Sequence, residues 1–186
     1  MSRDGFQSLE STVLSRRTIH SFKADKVSGN LIERAIEIAC WAPNHFLTEP
    51  WTFYLLSDKS KNQIIDLNHS LTLSSKGLRA ADVKKNRWQS VPGWFVLTSR
   101  KAANHKEELE NYASCCCAAQ NLMLYLWTKS VGVKWTTGEI IETIDFSQIV
   151  GINAKHEKPV GMFWYGYPET IGKQMRQPLE NVIRRV

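Results

Sequence analysis

Arg16 and Arg17 stand side by side in residues 15–22 (SRRTIHSF), with Thr18 next and His20 two positions on. Guanidinium groups are planar forks of donors that suit phosphate or carboxylate, and a hydroxyl adds one more donor. The run therefore has the chemistry of an anion clamp. The plainer alternative is that the arginines end a helix and interact with its negative carboxyl terminus. Three other stretches carry similar groups. Residues 41–51 (WAPNHFLTEPW) set Asn44 and His45 among two prolines and two tryptophans, the makings of a rigid aromatic-walled loop that suits a planar heterocycle. Residues 135–139 (WTTGE) place Thr136 and Thr137 before a glycine where a strand should end. Residues 165–178 put Lys173 and Arg176 between a strand and a proline.

Several chemistries find no support. There is no G-x-x-x-x-G-K-[ST] run and no G-x-G-x-x-G turn, so neither a P-loop nor a Rossmann dinucleotide turn is available. A G-x-S-x-G elbow is absent too. Cys40 is isolated and Cys115, Cys116 and Cys117 are consecutive. Successive helical residues point about 100° apart, so those three cannot converge on one metal. The five histidines show no ligand spacing, and neither a zinc site nor a disulfide scaffold is expected. The triplet lies in an apolar helical run, where burial raises a thiol pKa and makes it inert.

These residues need a scaffold. At 186 residues with 42% hydrophobic content, the chain is expected to form one domain, residues 1–186, with a substantial core. Its net charge of +6 is spread along the chain, which reads as a mildly basic surface. The N-terminus lacks a signal-like apolar core, and the longest apolar run (113–127) falls short of a bilayer span, so a cytoplasmic location is expected. Phe6, Leu9, Val13 and Leu14 approximate one helical face, and Ser28 can cap a second helix, whose apolar stripe should stop near Ala42–Pro43. Strands are expected at 50–58, 93–99, 131–138 and 158–168. Residues 59–87 should be helical in two pieces broken near Ser74–Ser75. Residues 106–130 form the longest helix, apolar nearly all round from Ala113 and therefore expected to be buried. The irregular alternation indicates an α+β or mixed α/β domain with a short central sheet.

The order of these pieces resembles the nitroreductase family of FMN-dependent oxidoreductases, particularly its short single-domain branch. An R-R-[ST]-x-[RHK]-x-F start precedes A-P-x-H-x-x-x-x-P-W, a long helix with Gln120 and Asn121, then G-x-x-W-x-[ST]-G and a late V-G-x-x-x-x-G-x-P. The resemblance runs from about Leu9 to Pro178. It implies an α+β fold, a central mostly antiparallel sheet flanked by helices, in an intertwined homodimer with FMN at the subunit interface. Arg16, Arg17, Thr18 and His20 would then contact FMN of their own subunit. Trp41 and His45 would reach it from the other copy. Trp135, Thr136 and Thr137 would lie beside the flavin, and Arg176 near the phosphate. The implied chemistry is ping-pong: NADPH or NADH gives hydride to FMN, and a nitroaromatic, quinone or similar acceptor takes the electrons. No metal, protein nucleophile, nucleic acid or membrane enters this scheme.

Departures from the pattern bear on reactivity. His20 stands where a fixed cation is more usual, which makes anion affinity depend on pH. Glu49 replaces the usual Gln before Pro50–Trp51, and Thr136 stands where some short members have Arg. Two other readings compete: a flavin carrier or sensor with little turnover, and a basic nucleic-acid-binding domain using Arg16, Arg17 and exposed tryptophans.

Overall fold

A computed structural model describes residues 8–186. Phe6, part of the expected first helical face, lies outside them. α1 (Leu9–Ser15) starts where the Ser8 hydroxyl accepts from the Ser11 N–H, satisfying one of the free donors at a helix start. α2 (Gly29–Ala39) follows Ser28, which accepts at its carbonyl from Leu31 and Ile32 but makes no side-chain cap. It stops before the expected Ala42–Pro43, the chain tightening so that the Ala42 N–H donates to the Ala39 carbonyl. Ser57 caps α3 (Asp58–Lys76) in the same way as Ser8. The break expected near Ser74–Ser75 falls instead at Gly77, whose φ of +81° suits a residue without Cβ. α4 (Leu78–Gln89) begins immediately afterwards.

Four strands, β1 (Trp51–Leu55), β2 (Gly93–Arg100), β3 (Gly132–Thr136) and β4 (Glu157–Gly166), form one antiparallel sheet in the order β1-β2-β4-β3. α5 (His105–Thr128) precedes β3 and α6 (Ile144–Val150) precedes β4. Alternation along the strands splits the apolar residues between two faces. Phe95, Leu97, Val133, Val160 and Phe163 pack with α2 and α5. Trp94, Val96, Met162 and Trp164 pack with Ile64 and Ile65 of α3, Trp88 of α4 and Phe146 of α6. The α+β expectation, an antiparallel sheet flanked by helices, is therefore met. β3 stops at Thr136, two residues short of the expected end.

The long helix differs from its sequence reading. Cys115, Ala118, Ala119, Leu122 and Leu126 are fully buried, but Ala113 and Cys117 are exposed and Leu124 and Tyr125 only half-buried. Within one chain, α5 has one covered side, against the sheet and α2. The all-round apolar pattern is not satisfied by this chain alone.

What positions the arginine run is a single buried residue. Thr18 pairs with Val133 as a parallel bridge, and the Ile19 N–H donates to the Val133 carbonyl at 3.3 Å. Ile19 is fully buried between them. A Cβ on Gly132 would stand 2.2 Å from Ile19 Cγ1, so Gly132 is what lets this segment lie against β3. Gly132→Ala should destabilise the fold by about 1–3 kcal/mol through overpacking. Adding Ile19→Ala should cost less than the sum of the two single changes, because they act on the same contact. Urea midpoints of the two single variants and the double variant check this.

Candidate functional site

Arg16 is the residue at which α1 gives way to the extended segment, its N–H still donating to the Thr12 carbonyl. Arg17 turns back: its Nη1 donates to the carbonyls of Leu14 (2.7 Å) and Arg16 (2.9 Å). The helix-end reading of the pair thus describes Arg17. Its Nε, however, is buried without a partner. Burial, then Arg176 and Arg17, lower the Arg16 pKa from the ordinary arginine value, which marks three guanidinium groups as close neighbours. The chain beyond β4 returns to bring Arg176 there. It also sets Lys173 across a concavity of about 380 Å³ from Arg17, Thr18 and His20. None of the five ion pairs among the described residues involves Arg16, Arg17, Lys173 or Arg176.

The positive charge continues along β3. Arg87 of α4 approaches His20, its Nη2 lying 3.4 Å from the His20 Nδ1. Lys134 on β3 is half-buried, its ammonium 4.6 Å from the centre of the Trp164 ring. Burial and then Arg87 push the Lys134 pKa down. Burial, then Lys134 and Arg87, push His20 down as well, so its imidazole stays neutral further into the acid range than an isolated one. The fixed cations beside this histidine are Arg87 and Lys134. Neither was singled out from sequence, although a lysine in the strand run VGVKW and an arginine just before Trp88 were the available signals.

The WTT segment is divided by strand alternation. Thr136 points to the α3–α4 side with Lys134, its hydroxyl donating to the Met162 carbonyl at 2.8 Å. Trp135 lies on the other face, packed against Phe163, with its Nε1 donating to the Val160 carbonyl at 3.1 Å. Thr137 is exposed just beyond the strand.

Trp41 and His45 are not brought to this cluster in one chain. Thr48, in the same loop, bonds Asn111 near the start of α5, whereas Ser15 accepts from Trp127 near its end. Sixteen helical residues separate the two anchor points, a rise of about 24 Å. Phe46, Leu47 and Glu49 all hold positive φ, a costly backbone for non-glycine residues, pinned by Asn44 accepting from the Glu49 N–H and Arg100 donating to the Thr48 carbonyl. This ordered loop region exposes Trp41 (88%), Phe46 (87%) and Leu47 (81%).

Burial raises the Cys115 pKa to about 12 and pushes Cys116 up as well, whereas Cys117, expected to be buried with them, faces outward and is exposed. No helix of the described residues is long and apolar enough to cross a membrane.

An antiparallel sheet between helical layers, with a cationic groove along one edge strand, defines the kind of protein this is. The profile of the Nitroreductase family matches residues 13–167, and the chain belongs to that family. It is 30% identical over 165 residues to YfhC of Bacillus subtilis, an NAD(P)H nitroreductase by name, covering 87% of this chain and 84% of the relative. Among solved structures, a nitroreductase-like family protein from Bacillus cereus superposes with a TM-score of 0.88 at 23% identity, over 100% of this chain and 99% of that one. A Desulfovibrio desulfuricans structure, solved in complex with FMN, gives 0.78 at 16% identity, covering 98% of each chain.

The electrostatics of the groove are measurable directly. The His20 imidazole, followed by NMR, should titrate below the ordinary value of about 6.5. Lys134→Met should move that midpoint upward by removing a like charge. The sign for stability follows: a depressed histidine costs the fold nothing above its unfolded pKa and destabilises it as pH falls below.

Proposed function

We propose that the protein is an FMN-dependent NAD(P)H oxidoreductase acting on nitroaromatic, quinone or similar electron-poor acceptors. The observation that carries this reading is the buried, unpartnered Arg17 Nε beside a concavity lined by Arg17, Thr18, His20 and Lys173, with no ion pair to Arg16, Arg17, Lys173 or Arg176 among the described residues. Holding three guanidinium groups together without a carboxylate is unfavourable unless an anion completes them. A phosphate monoester of about −1.5 to −2 charge fits that requirement. Bound FMN supplies the two-electron chemistry between nicotinamide donor and acceptor. Arg16, Arg17 and Arg176 would hold its phosphate, Thr18 would add a hydroxyl, and Lys173 would close the groove. His20, Arg87 and Lys134 would face the flavin ring, whose reduced form is electron-rich and is stabilised by donors and fixed cations.

A homodimer is part of this reading. Trp41 and His45 reach the site from a second copy, which is consistent with their distance from the cluster of their own chain. The exposed apolar residues Leu9, Val13 and Leu14 of α1, with Phe46, Leu47 and the open side of α5, supply surface for that second copy.

Purified protein should show oxidised-flavin absorbance, bleach anaerobically with NADPH or NADH, and recover on addition of a nitroaromatic or quinone. Flavin that never bleaches would leave a carrier. If apoprotein does not bind added FMN, the reading fails. Arg16→Ala should weaken FMN binding by about 10- to 100-fold, the loss of one or more charge-assisted bonds, measured by flavin fluorescence quenching. In sedimentation the protein should run as a dimer, and Phe46→Asp should shift it toward monomer with loss of flavin.

A further inference from the structure

Beyond the groove, a cavity of about 770 Å³ opens between the α3–α4 pair and strands β3 and β4. Its volume is that of a small-molecule site. Arg87, Lys134 and Thr136 border it, so it adjoins the cofactor groove. Lys76 at the end of α3 and Lys84 on α4 add two further cations, while Glu139 is the acidic side chain in the lining. None of the four cations takes part in an ion pair among the described residues. The ammonium of Lys84 lies 5.4 Å from the Trp88 ring centre and donates to the Thr72 Oγ1 at 3.4 Å, and Lys134 lies over Trp164, so aromatic faces help steady both.

The other polar groups are short of acceptors as well. Asn68 is only 2% exposed and its Nδ2 has no partner; the Trp164 Nε1 is likewise buried and unpaired. The Thr72 and Thr136 hydroxyl protons are already committed to the carbonyls of Asn68 and Met162. Buried donors without acceptors are costly, and a lining so rich in them suits a ligand that brings oxygen lone pairs and negative charge.

We propose that this cavity is an oxyanion subsite, in which Lys76, Lys84 and the Asn68 amide bind a carboxylate or phosphate carried by a substrate of the neighbouring site. The identity of that neighbouring site rests on the flavoenzyme reading; the cavity's own chemistry does not. Two sources share this chemistry, a carboxylate on an aromatic acceptor and the extra phosphate of NADPH. Burial first and then Lys76 lower the Lys84 pKa, against an opposing pull from Glu139.

The test titrates purified protein, as isolated, with benzoate and separately with NADP⁺ by calorimetry, at low and high salt. At least one should bind, more weakly at high salt. The double variant Lys76→Ala, Lys84→Met should weaken that binding by about tenfold or more while flavin content stays at the wild-type level. A kinetic arm assigns the source. A fall in kcat/KM for 4-nitrobenzoate with nitrobenzene unchanged supports an acceptor carboxylate; a fall for NADPH with NADH unchanged supports the donor phosphate. Binding of both ligands unaffected by the double variant would overturn the inference. So would benzoate that displaces FMN, since the cavity would then belong to the cofactor. Because calorimetry reads the cavity whether or not flavin is present, failure of the FMN reading shows separately, as colourless protein.

Discussion

Ile19 buried against Gly132 is the contact on which the site depends. It fastens a short extended segment to the edge of β3, and on either side of it stand Arg16, Arg17, Thr18 and His20. Burial of one isoleucine side chain is favourable by roughly 1.5–3 kcal/mol. Packing of this residue therefore helps the fold keep the neighbouring cations in place. Local consistency is broken there and compensated by packing alongside, a pattern expected where residues are kept for binding rather than stability.

The same reasoning applies to the loop after α2. Three positive-φ residues within four positions, Phe46, Leu47 and Glu49, are sustained by Asn44, Arg100 and Asn111, and the outcome is an exposed apolar surface. A monomer gains nothing from fixing such a surface in a strained form. α5 ties this region to the arginine run while keeping them apart, so a site using both has to be assembled from two chains. Its open side and the exposed apolar residues of α1 point in the same direction.

Along the groove the charges divide into fixed and adjustable ones. The guanidinium groups are the fixed charges, since arginine is not deprotonated in proteins. Burial, then Lys134 and Arg87, lower the His20 pKa and so favour the neutral imidazole, in which one ring nitrogen donates and the other accepts. A histidine at this position therefore offers hydrogen bonding where a lysine or arginine would offer charge, and Arg87 and Lys134 provide the charge instead. An anion bound nearby would raise the imidazole pKa again, coupling protonation of His20 to occupancy of the groove.

Much of this was legible in the amino-acid order. Apolar runs located all four strands within a few residues, helix periodicity found α2 and α5, and the consecutive cysteines could be dismissed as ligands from helix geometry alone. The arginine run was recognisable because planar donors and a hydroxyl sit next to one another in sequence. Arg87 and Lys134 were not, because a cation in a helix or strand carries no local sign of the face it occupies. Burial of Trp88 sets the rotation of α4, and the β3–β4 register, pairing Lys134 with Trp164, sets the other. The same alternation sent Trp135 to the face opposite Thr136, although the two are adjacent in the chain. Sequence fixes such residues' chemistry through their covalent structure; their neighbours are fixed by long-range packing, and only the tertiary structure contains that.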